Sequence, residues 1–435
     1  MAEIRPISAW RYNPEKTPPI DELVSPLFDV VSEKQRKKLY DQDYNSIHLS
    51  VPRGDGKVKD LARRTLQQWK IDGIIRKDHL PGIYAYYQYF TLPGSPKEFC
   101  RKGFISNIKI ADWEEKIILR HESTMPHSVS DRKDILNETQ LNISPTHGLY
   151  TDANHILEPF LDECINNPIY EVEDYQGVRD VLGVIHDAEI ISKFVALIKD
   201  KQIILADGHH RYEGSLQYQK EESNANPDHN GQEGYNFHLM YLTNTESDDL
   251  RILPTHRLVH NINEFSEDWL LKQLDEDFVI KELDNAYDVN EIILGKKWAF
   301  GLLVNNNAYK IRLKAEKLDS MAWNFPKAIK ELDLTVMHYF IFEKIIGIEK
   351  KNQVTSDKIS FQRNFTECLS AVNRGDSQFA LITKDIPIET VKQTCYSGYT
   401  LPQKSTYFYP KVISGFLFSS IQKDEFHTPF DSRFQ

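Results

Sequence analysis

The chain has 435 residues, 40% of them hydrophobic, which is enough for a packed core and excludes general disorder. Its 53 lysines and arginines against 64 aspartates and glutamates leave a net charge of −11. This balance disfavours a non-specific nucleic-acid binder, which needs a basic face. No apolar run reaches the ~18 residues of a membrane span, the N-terminus lacks a signal-peptide pattern, and the four cysteines form no CxxC pair. We therefore expect a cytoplasmic protein without membrane contact.

The first part of the sequence is predicted to mix extended segments, strands and helices. The predicted elements are, in chain order, an extended proline-rich segment in 1–20, a strand-like segment in 25–32, a helix in 33–40 with Ser32 as its N-cap, a helix in 58–72 ended by Gly73, strands in 83–90 and 102–110, and a strand followed by a helix in 146–167. The apolar residues of 58–72 recur roughly along one helical stripe.

The remainder of the sequence continues this mixture of elements. We predict, in chain order, an amphipathic helix in 187–200, a short strand in 202–206, a helix from 209, an exposed loop in 223–234, a strand in 235–244, a strand in 251–259 broken by Pro254, a helix in 264–276, a hairpin in 298–314 that turns at 305–307, a helix in 332–347, and a final aromatic segment in 401–418. Because strands and helices do not alternate strictly, we predict an α+β fold rather than a doubly wound sheet.

The clearest motif is IILADGHHRYEGSL, residues 203–216. An apolar strand ends before Asp207 and Gly208, a tight turn follows because glycine tolerates positive φ, and a helix begins near His209. The first turn of a helix presents amide groups and the positive end of the helix dipole, which together attract anions. His209, His210 and Arg211 add donors, and guanidinium matches phosphate geometry. The motif therefore predicts a phosphate or nucleotide site.

Two other interpretations of this motif remain open. His209 and His210 could be hydrogen-bonded partners beneath a loop, without any ligand. With Asp207 they could also bind a metal ion, although adjacent side chains on a helix point about 100° apart, which suits one ion poorly. Gly214, four residues after His210, would let either a ligand or another backbone approach the helix closely. We assign Glu213 a structural role.

Seven segments resemble the family called domain of unknown function 1015. They are PLFDVVS (26–32), RKGFI (101–105), RHEST (120–124), NISPTHGLYTD (142–152), ADGHHRYEGSL (206–216), ILPTHRLV (252–259) and LPQKSTYFYPK (401–411). The DGHHR element also resembles the ParB/sulfiredoxin superfamily, which includes ParB-type nucleotidases, sulfiredoxin and nucleotide-dependent free-serine kinases. In one departure, Leu27 to Val30 reads Leu-Phe-Asp-Val where the family has Pro-Tyr-Asp-Val, which removes a tyrosine hydroxyl.

The resemblance implies an α+β fold with a ParB/sulfiredoxin-like core. It implies an N-terminal α+β region in 1–165, the core with the DGHHR motif in 166–262, and a C-terminal α+β region in 263–435. In the superfamily the DGHHR-like turn contacts nucleotide phosphates. By resemblance, Asp207, Gly208, His209, His210 and Arg211 would bind ATP or ADP here. Asp207 would hold Mg²⁺ or cap the helix.

Three further segments carry candidate site residues. His121 and Glu122 lie in a segment dense in ionisable residues, and a carboxylate beside a histidine can act as a general base. Arg257 lies in a mostly apolar strand, where a charge is costly unless it is paired or faces a cleft. Lys404 lies in the donor-rich turn QKST. The alternatives are a solvated loop, a surface arginine on an edge strand and an ordinary polar turn.

The function predicted from these residues is nucleotide-dependent phosphoryl transfer to or from a small hydroxyl compound, with serine or phosphoserine suggested by the resemblance alone. Glu122 with His121 would activate the hydroxyl, His210 would assist catalysis, and Arg257 and Lys404 would neutralise the transferred group. Two alternatives stay open, namely a phosphatase or nucleotide hydrolase that uses the same anion site, and a nucleotide-gated ParB-like module. The expected partners are a nucleotide and a small molecule, not nucleic acid, and a homodimer is compatible with the sequence.

Overall fold

The computed structural model describes residues 1–27, 33–54, 58–92, 95–174, 176–353, 355–402 and 404–426. Helices contain 36% of the residues and strands contain 26%, so the predicted α+β class is confirmed. Ser32, the predicted N-cap, and the Phe-Asp-Val part of 27–30 lie outside the described residues, as does the glutamine of the QKST turn. Among the helices of the described ranges, none combines the length and apolar character needed to cross a bilayer.

The strands are, in chain order, β1 (Ile4–Arg5), β2 (Trp10–Tyr12), β3 (Ile75–Lys77), β4 (Tyr84–Thr91), β5 (Glu98–Lys109), β6 (Ile118–Arg120), β7 (Leu141–Asn142), β8 (Thr146–Tyr150), β9 (Tyr170–Glu173), β10 (Arg179–Leu182), β11 (Ile203–Asp207), β12 (Phe237–Asn244), β13 (Arg251–Leu253), β14 (His256–Val259), β15 (Phe278–Leu283), β16 (Ala299–Val304), β17 (Asn307–Leu313), β18 (Ile359–Gln362), β19 (Phe379–Ile382), β20 (Tyr407–Tyr409) and β21 (Ser419–Ser420).

The α-helices are, in chain order, α1 (Ile20–Leu23), α2 (Glu33–Tyr40), α3 (Ile47–Ser50), α4 (Val58–Ile71), α5 (Pro126–Thr139), α6 (Glu158–Ile165), α7 (Ala188–Lys199), α8 (His209–Ala225), α9 (Glu267–Asp275), α10 (Val289–Ile293), α11 (Lys327–Lys330), α12 (Asp333–Met337), α13 (Phe365–Asn373) and α14 (Ile388–Tyr396). A π-helix, His338–Ile345, follows α12, and short 3₁₀ helices occupy Trp113–Glu115, Gly234–Asn236, Ala286–Asp288, Ala315–Ser320 and Lys350–Asn352.

Contacts divide the chain into two compact units. The first unit consists of Met1–Arg120, Thr124–Leu250 and Pro410–Gln435, and the second consists of His121–Ser123 and Arg251–Tyr409. The three-region division inferred from sequence, with boundaries after residues 165 and 262, stays a prediction. The two units are described separately below.

A nine-stranded mixed sheet forms the framework of the first unit. Its strands run in the order β6-β11-β8-β12-β5-β4-β10-β9, and β1 pairs with β5 outside this path. β11 pairs in parallel with β6 and antiparallel with β8, so the strand directions are mixed. The register between β11 and β8 shifts between Leu205 and Asp207. Such a bulge re-aims the chain at the end of a strand, and here it immediately precedes the predicted turn.

Helix α8 packs closely against α5 in the first unit. A Cβ atom added to Gly214 would lie 3.0 Å from the Lys133 amide nitrogen and 3.2 Å from the Val129 carbonyl oxygen. The glycine therefore admits the backbone of a neighbouring helix, the second of the two uses that the sequence suggested. Glu213 accepts a hydrogen bond from the Trp113 indole at 2.6 Å and lies 3.8 Å from Arg120, which fits its predicted structural role.

The second unit is built on a six-stranded antiparallel sheet in the order β15-β17-β16-β19-β14-β18. β16 and β17 form the hairpin predicted in 298–314, with Asn305 in the left-handed region at φ +50°. The strand predicted in 251–259 is interrupted as expected, giving β13 and β14. The helix predicted in 332–347 is α-helical only as far as Met337, after which it continues as a π-helix.

Candidate functional site

The strand–turn–helix predicted from IILADGHHRYEGSL is present in the first unit. β11 ends at Asp207, Gly208 has φ +89°, and α8 begins at His209. Glycine is required here twice over, because φ lies in the left-handed region and because a Cβ atom would lie 2.6 Å from Thr146 Cγ2. The turn therefore packs closely against β8, the strand next to β11 in the sheet.

We expect Gly208→Ala to destabilise the first unit strongly. The left-handed backbone costs an alanine ~1–2 kcal/mol and the contact with Thr146 adds ~1–3 kcal/mol, so the expected loss is about 2–5 kcal/mol. Denaturant unfolding of both proteins measures it. The matched control is Gly177→Ala, whose φ is +76° but whose Cβ would meet no atom within 4 Å. Equal losses in the two variants would contradict the steric argument.

The Asp207 carboxylate is held between two cations. Its Oδ1 atom forms an ion pair with Lys411, and its Oδ2 atom lies 3.1 Å from Arg211 Nη2. Burial by itself would raise the pKa of Asp207, but the charges of Lys411 and Arg211 outweigh burial and hold this pKa well below its usual range. The turn therefore carries two positive charges against one negative charge. Lys411 was not among the predicted site residues, although it ends the segment LPQKSTYFYPK that resembles the family.

Arg211 and His210 also make contacts within the protein. Arg211 Nη1 donates to Ser144 Oγ at 3.0 Å and to the Pro145 carbonyl at 2.7 Å, which fixes the loop before β8. The Met125 amide donates to His210 Nε2 at 3.1 Å, so this nitrogen is unprotonated and joins the turn to the start of α5. His209 is 7% exposed. The predicted binding residues thus also stabilise the turn itself.

A small cavity of about 50 Å³ lies beside the turn. Arg132, Arg211, Ser144 and His238 are among the residues that line it. Burial and the charge of Arg211 lower the pKa of His238 to about 3, so this imidazole is neutral. The cavity has room for a water molecule or a small ion beside the Arg211 guanidinium.

The residues at the turn do not fit the Mg²⁺ ion that the resemblance implies. Both oxygens of Asp207 are engaged by cations, whereas Mg²⁺ requires carboxylate oxygens that face the ion. The described part of the chain contains no group of three or more histidine, cysteine, aspartate and glutamate side chains that could hold a metal ion. We therefore assign Asp207 no role in holding a metal ion.

A buried polar network lies elsewhere in the first unit. Arg101, 1% exposed, donates through Nη2 to Gln88 Oε1 and to the Pro410 carbonyl. Gln88 Nε2 in turn donates to Asp180 Oδ1 at 2.8 Å, and the Tyr86 hydroxyl donates to the same oxygen. Arg101 was not predicted as a functional residue, although it begins the matched segment RKGFI.

The other predicted site residues lie in the second unit. Glu122 Oε1 accepts hydrogen bonds from the amides of Ser405 at 3.1 Å and Thr406 at 3.4 Å. His121 Nε2 lies 2.6 Å from Thr406 Oγ1 and 3.9 Å from Glu122 Oε1. The side chain of His121 is fully buried, whereas that of Glu122 is 15% exposed. Of the pair, Glu122 is the one that can meet a small molecule, and His121 positions the threonine.

Arg257 links Lys404, the remaining predicted residue, to the group formed by His121 and Glu122. Its guanidinium is fully buried and donates to the carbonyls of Thr255 and, at 3.4 Å, Lys404. Burial lowers the pKa of Arg257 to about 9, against the opposing effect of the Glu122 charge. Lys404 has φ +56°, a strained conformation for a residue with a side chain. Three distant segments thus bring His121, Glu122, Arg257 and Lys404 together, while the Asp207 turn belongs to the first unit.

Comparison with solved structures finds chains of low sequence identity. A variant of free serine kinase in complex with AMP is 12% identical, covers 72% of this chain and 91% of its own, and gives a TM-score of 0.36. Another variant in complex with ADP has the same identity and coverage, with a TM-score of 0.37. SbnI with a C-terminal truncation, from Staphylococcus aureus, is 12% identical over 74% of this chain and 90% of its own, with a TM-score of 0.36.

Among curated proteins, none matches the chain. The family model described as "Protein of unknown function (DUF1015)" matches residues 4–335, well over half of the sequence. Six of the seven segments on which the resemblance was based lie within this match, and LPQKSTYFYPK (401–411) lies beyond it. The family prediction is confirmed. The chain belongs to the DUF1015 family.

Proposed function

We propose that this protein binds ADP or ATP and moves a phosphoryl group to or from a small hydroxyl compound. The observation that carries the proposal is the charge at the turn, where Arg211 and Lys411 surround the single carboxylate of Asp207. The resemblance of ADGHHRYEGSL to the nucleotide-dependent free-serine kinases supports the nucleotide, and it alone suggests serine or phosphoserine as the second reactant.

The excess positive charge lies at the N-terminus of α8, a helix of 17 residues. The dipole of a helix adds about half a positive charge at this end, so the turn, Lys411 and the dipole all favour an anion. Phosphoryl transfer asks mainly for positioning and for neutralisation of the phosphate charge. The turn would provide both for the phosphates of the nucleotide.

Within the second unit we assign Glu122 the role of general base. Its Oε1 atom is fixed by the two amides of Ser405 and Thr406, which keeps the carboxylate in one orientation. A fixed carboxylate can accept the hydroxyl proton of the phosphoryl acceptor. The buried Arg257 guanidinium interacts electrostatically with this carboxylate. His121 is buried, so its role is to position Thr406.

The test of the nucleotide site is Lys411→Met. Loss of Lys411 removes one of the positive charges that oppose the charge of Asp207, so ADP and ATP should bind about 10- to 100-fold more weakly, the effect of ~1.5–3 kcal/mol expected for a charge-assisted contact. Isothermal titration calorimetry measures the affinity, and Lys411→Arg should retain most of it. The matched control is Lys220→Met, which removes an exposed lysine paired with Asp112 in the same unit.

Product analysis tests the direction of phosphoryl transfer and the identity of the phosphoryl acceptor. The protein with ATP or ADP and serine should yield phosphoserine, or with phosphoserine the reverse. Release of inorganic phosphate that is independent of serine would instead indicate a hydrolase. Absence of any affinity for ADP and ATP, or equal affinity in Lys411→Met and the unaltered protein, would refute the phosphate site.

A further inference from the structure

The second unit contains a cavity of about 900 Å³. This volume lies within the range of sites that hold cofactors and drug-sized ligands. Its lining includes the aromatic side chains of Trp323, Phe325, Phe361 and Tyr399, together with His338. No residue of the Asp207 turn takes part in it, so it offers a binding surface in addition to the proposed phosphate site.

His338, which lines this cavity, has an unused hydrogen-bond acceptor. Gln353 donates through Nε2 to the carbonyls of His338 and Ile348, so its Oε1 atom must accept the hydrogen bond from His338 Nδ1 at 2.7 Å. Nδ1 therefore carries the proton of the neutral imidazole and Nε2 carries the lone pair. His338 is 4% exposed, and no described residue hydrogen-bonds its Nε2 atom.

The imidazole stays neutral at physiological pH. Burial and the nearby charge of Arg257 lower the pKa of His338 to about 3. A buried acceptor without a donor is costly, by ~1–3 kcal/mol, unless a ligand or water supplies one. A ligand group with an N–H or O–H bond would satisfy this atom.

The backbone that carries His338 is itself unusual. The residue begins the π-helix His338–Ile345, eight residues in length. π-helices are rare, are mostly confined to single turns and often mark functional sites, because they cost helix stability. Here the change from α12 to the π-helix occurs at a histidine that lines the cavity. The π-helix thus begins at the residue that carries the unused acceptor.

A lysine supplies positive charge at the aromatic wall. Lys350 Nζ lies 3.9 Å from the centre of the Phe325 ring and 5.2 Å from that of Trp323. Glu343, which also lines the cavity, is already engaged by the Trp323 indole at 2.9 Å and the Lys350 amide at 2.8 Å. Within the described ranges no carboxylate lies within ion-pair distance of the Lys350 ammonium group. An anionic ligand group can therefore pair with it.

We infer that this cavity binds a small molecule with a flat aromatic ring that carries an N–H or O–H donor and a negatively charged group. The donor would reach His338 Nε2, the ring would pack against Phe361 and Tyr399, and the anion would meet Lys350. Two classes of ligand carry these groups, namely nucleoside phosphates and aromatic carboxylic acids. The inference does not depend on the proposed phosphate site.

Tryptophan fluorescence of the full chain tests this inference. AMP and indole-3-carboxylate are titrated separately, and Trp323→Phe establishes which part of the signal comes from the cavity. We expect saturable quenching by at least one probe, which also identifies the source, and we expect it to persist in Lys411→Met. That persistence separates this cavity from the phosphate site. No saturable quenching by either probe at millimolar concentration would overturn the inference.

Two substitutions test the named contacts. Lys350→Met removes an exposed lysine and should weaken the binding of the anionic probe about tenfold, while Lys327→Met, an exposed lysine outside the cavity, should change it less than twofold. His338→Phe should weaken binding by a similar factor. Thermal unfolding confirms that each variant folds, and should His338→Phe fail to fold, the Lys350 comparison decides. Equal affinity in Lys350→Met and the unaltered protein would contradict the assignment.

Discussion

Replacing Glu122 by glutamine is expected to lower the rate of phosphoryl transfer by about 10²–10⁴-fold, the usual contribution of a general base. Glutamine keeps an oxygen that accepts the hydrogen bonds of the Ser405 and Thr406 amides, so the loop should hold its shape. The variant loses only the ability to take a proton from the hydroxyl. Nucleotide affinity, which we assign to the Asp207 turn, should change less than twofold.

Initial rates of phosphoserine formation and calorimetric ADP affinity measure these two effects. The matched control is Glu389→Gln, which removes an exposed carboxylate of the second unit paired with Lys392. Its rate should equal that of the unaltered protein. A Glu122→Gln rate within twofold of the unaltered rate would exclude Glu122 as the base. If nucleotide affinity fell with the rate, the residue would act in binding rather than in proton transfer.

Replacing Asp180 by asparagine is expected to remove a large pH dependence of stability. Burial raises the pKa of Asp180 to about 7, and its Oδ2 atom meets no hydrogen-bond donor among the described residues. Because this pKa is higher in the folded than in the unfolded chain, the protonated group contributes stability that is complete below about pH 4. That stability is lost as pH rises through about 7, and the loss amounts to about 4 kcal/mol.

Denaturant unfolding between pH 4 and pH 8 measures this effect. The asparagine side chain of the variant is not charged at any of these values, and its oxygen still accepts from Gln88 and Tyr86. The difference in free energy of unfolding between the variant and the unaltered protein should therefore grow in the variant's favour as pH rises to about 8. Asp200→Asn, at an exposed position of the same unit, is the control and should leave the profile unchanged. Parallel profiles for Asp180→Asn and the unaltered protein would contradict the raised pKa.

Local rules were enough to predict the elements that depend on neighbouring residues. The turn at Gly208 follows from an apolar run, a glycine and a helix-forming segment, all within about 20 residues. The hairpin of β16 and β17 follows from two alternating runs separated by asparagines. Helix α8, which begins after this turn, and the β16–β17 hairpin are both held by hydrogen bonds between residues close in the chain. These elements could be predicted without knowledge of the rest of the fold.

Other features depend on contacts between distant residues, and no local pattern indicates them. Lys411 pairs with Asp207 across 204 positions, and the Glu122 carboxylate meets the Ser405 amide across 283 positions. The segment after Glu122 is helix α5, whose backbone lies against Gly214. The residue types of these groups indicated a charged site, but their partners could not be read from spacing.

The sequence by itself therefore determined the family, the α+β class and the glycine turn, because periodicity, turn chemistry and motif order act over short distances. Only the tertiary structure decided that both oxygens of Asp207 are engaged by cations, and that His338 begins a π-helix with an unused acceptor at a cavity. The physical reason is that charge pairing, burial and cavity shape depend on which distant segments pack together. Local preference does not specify that packing.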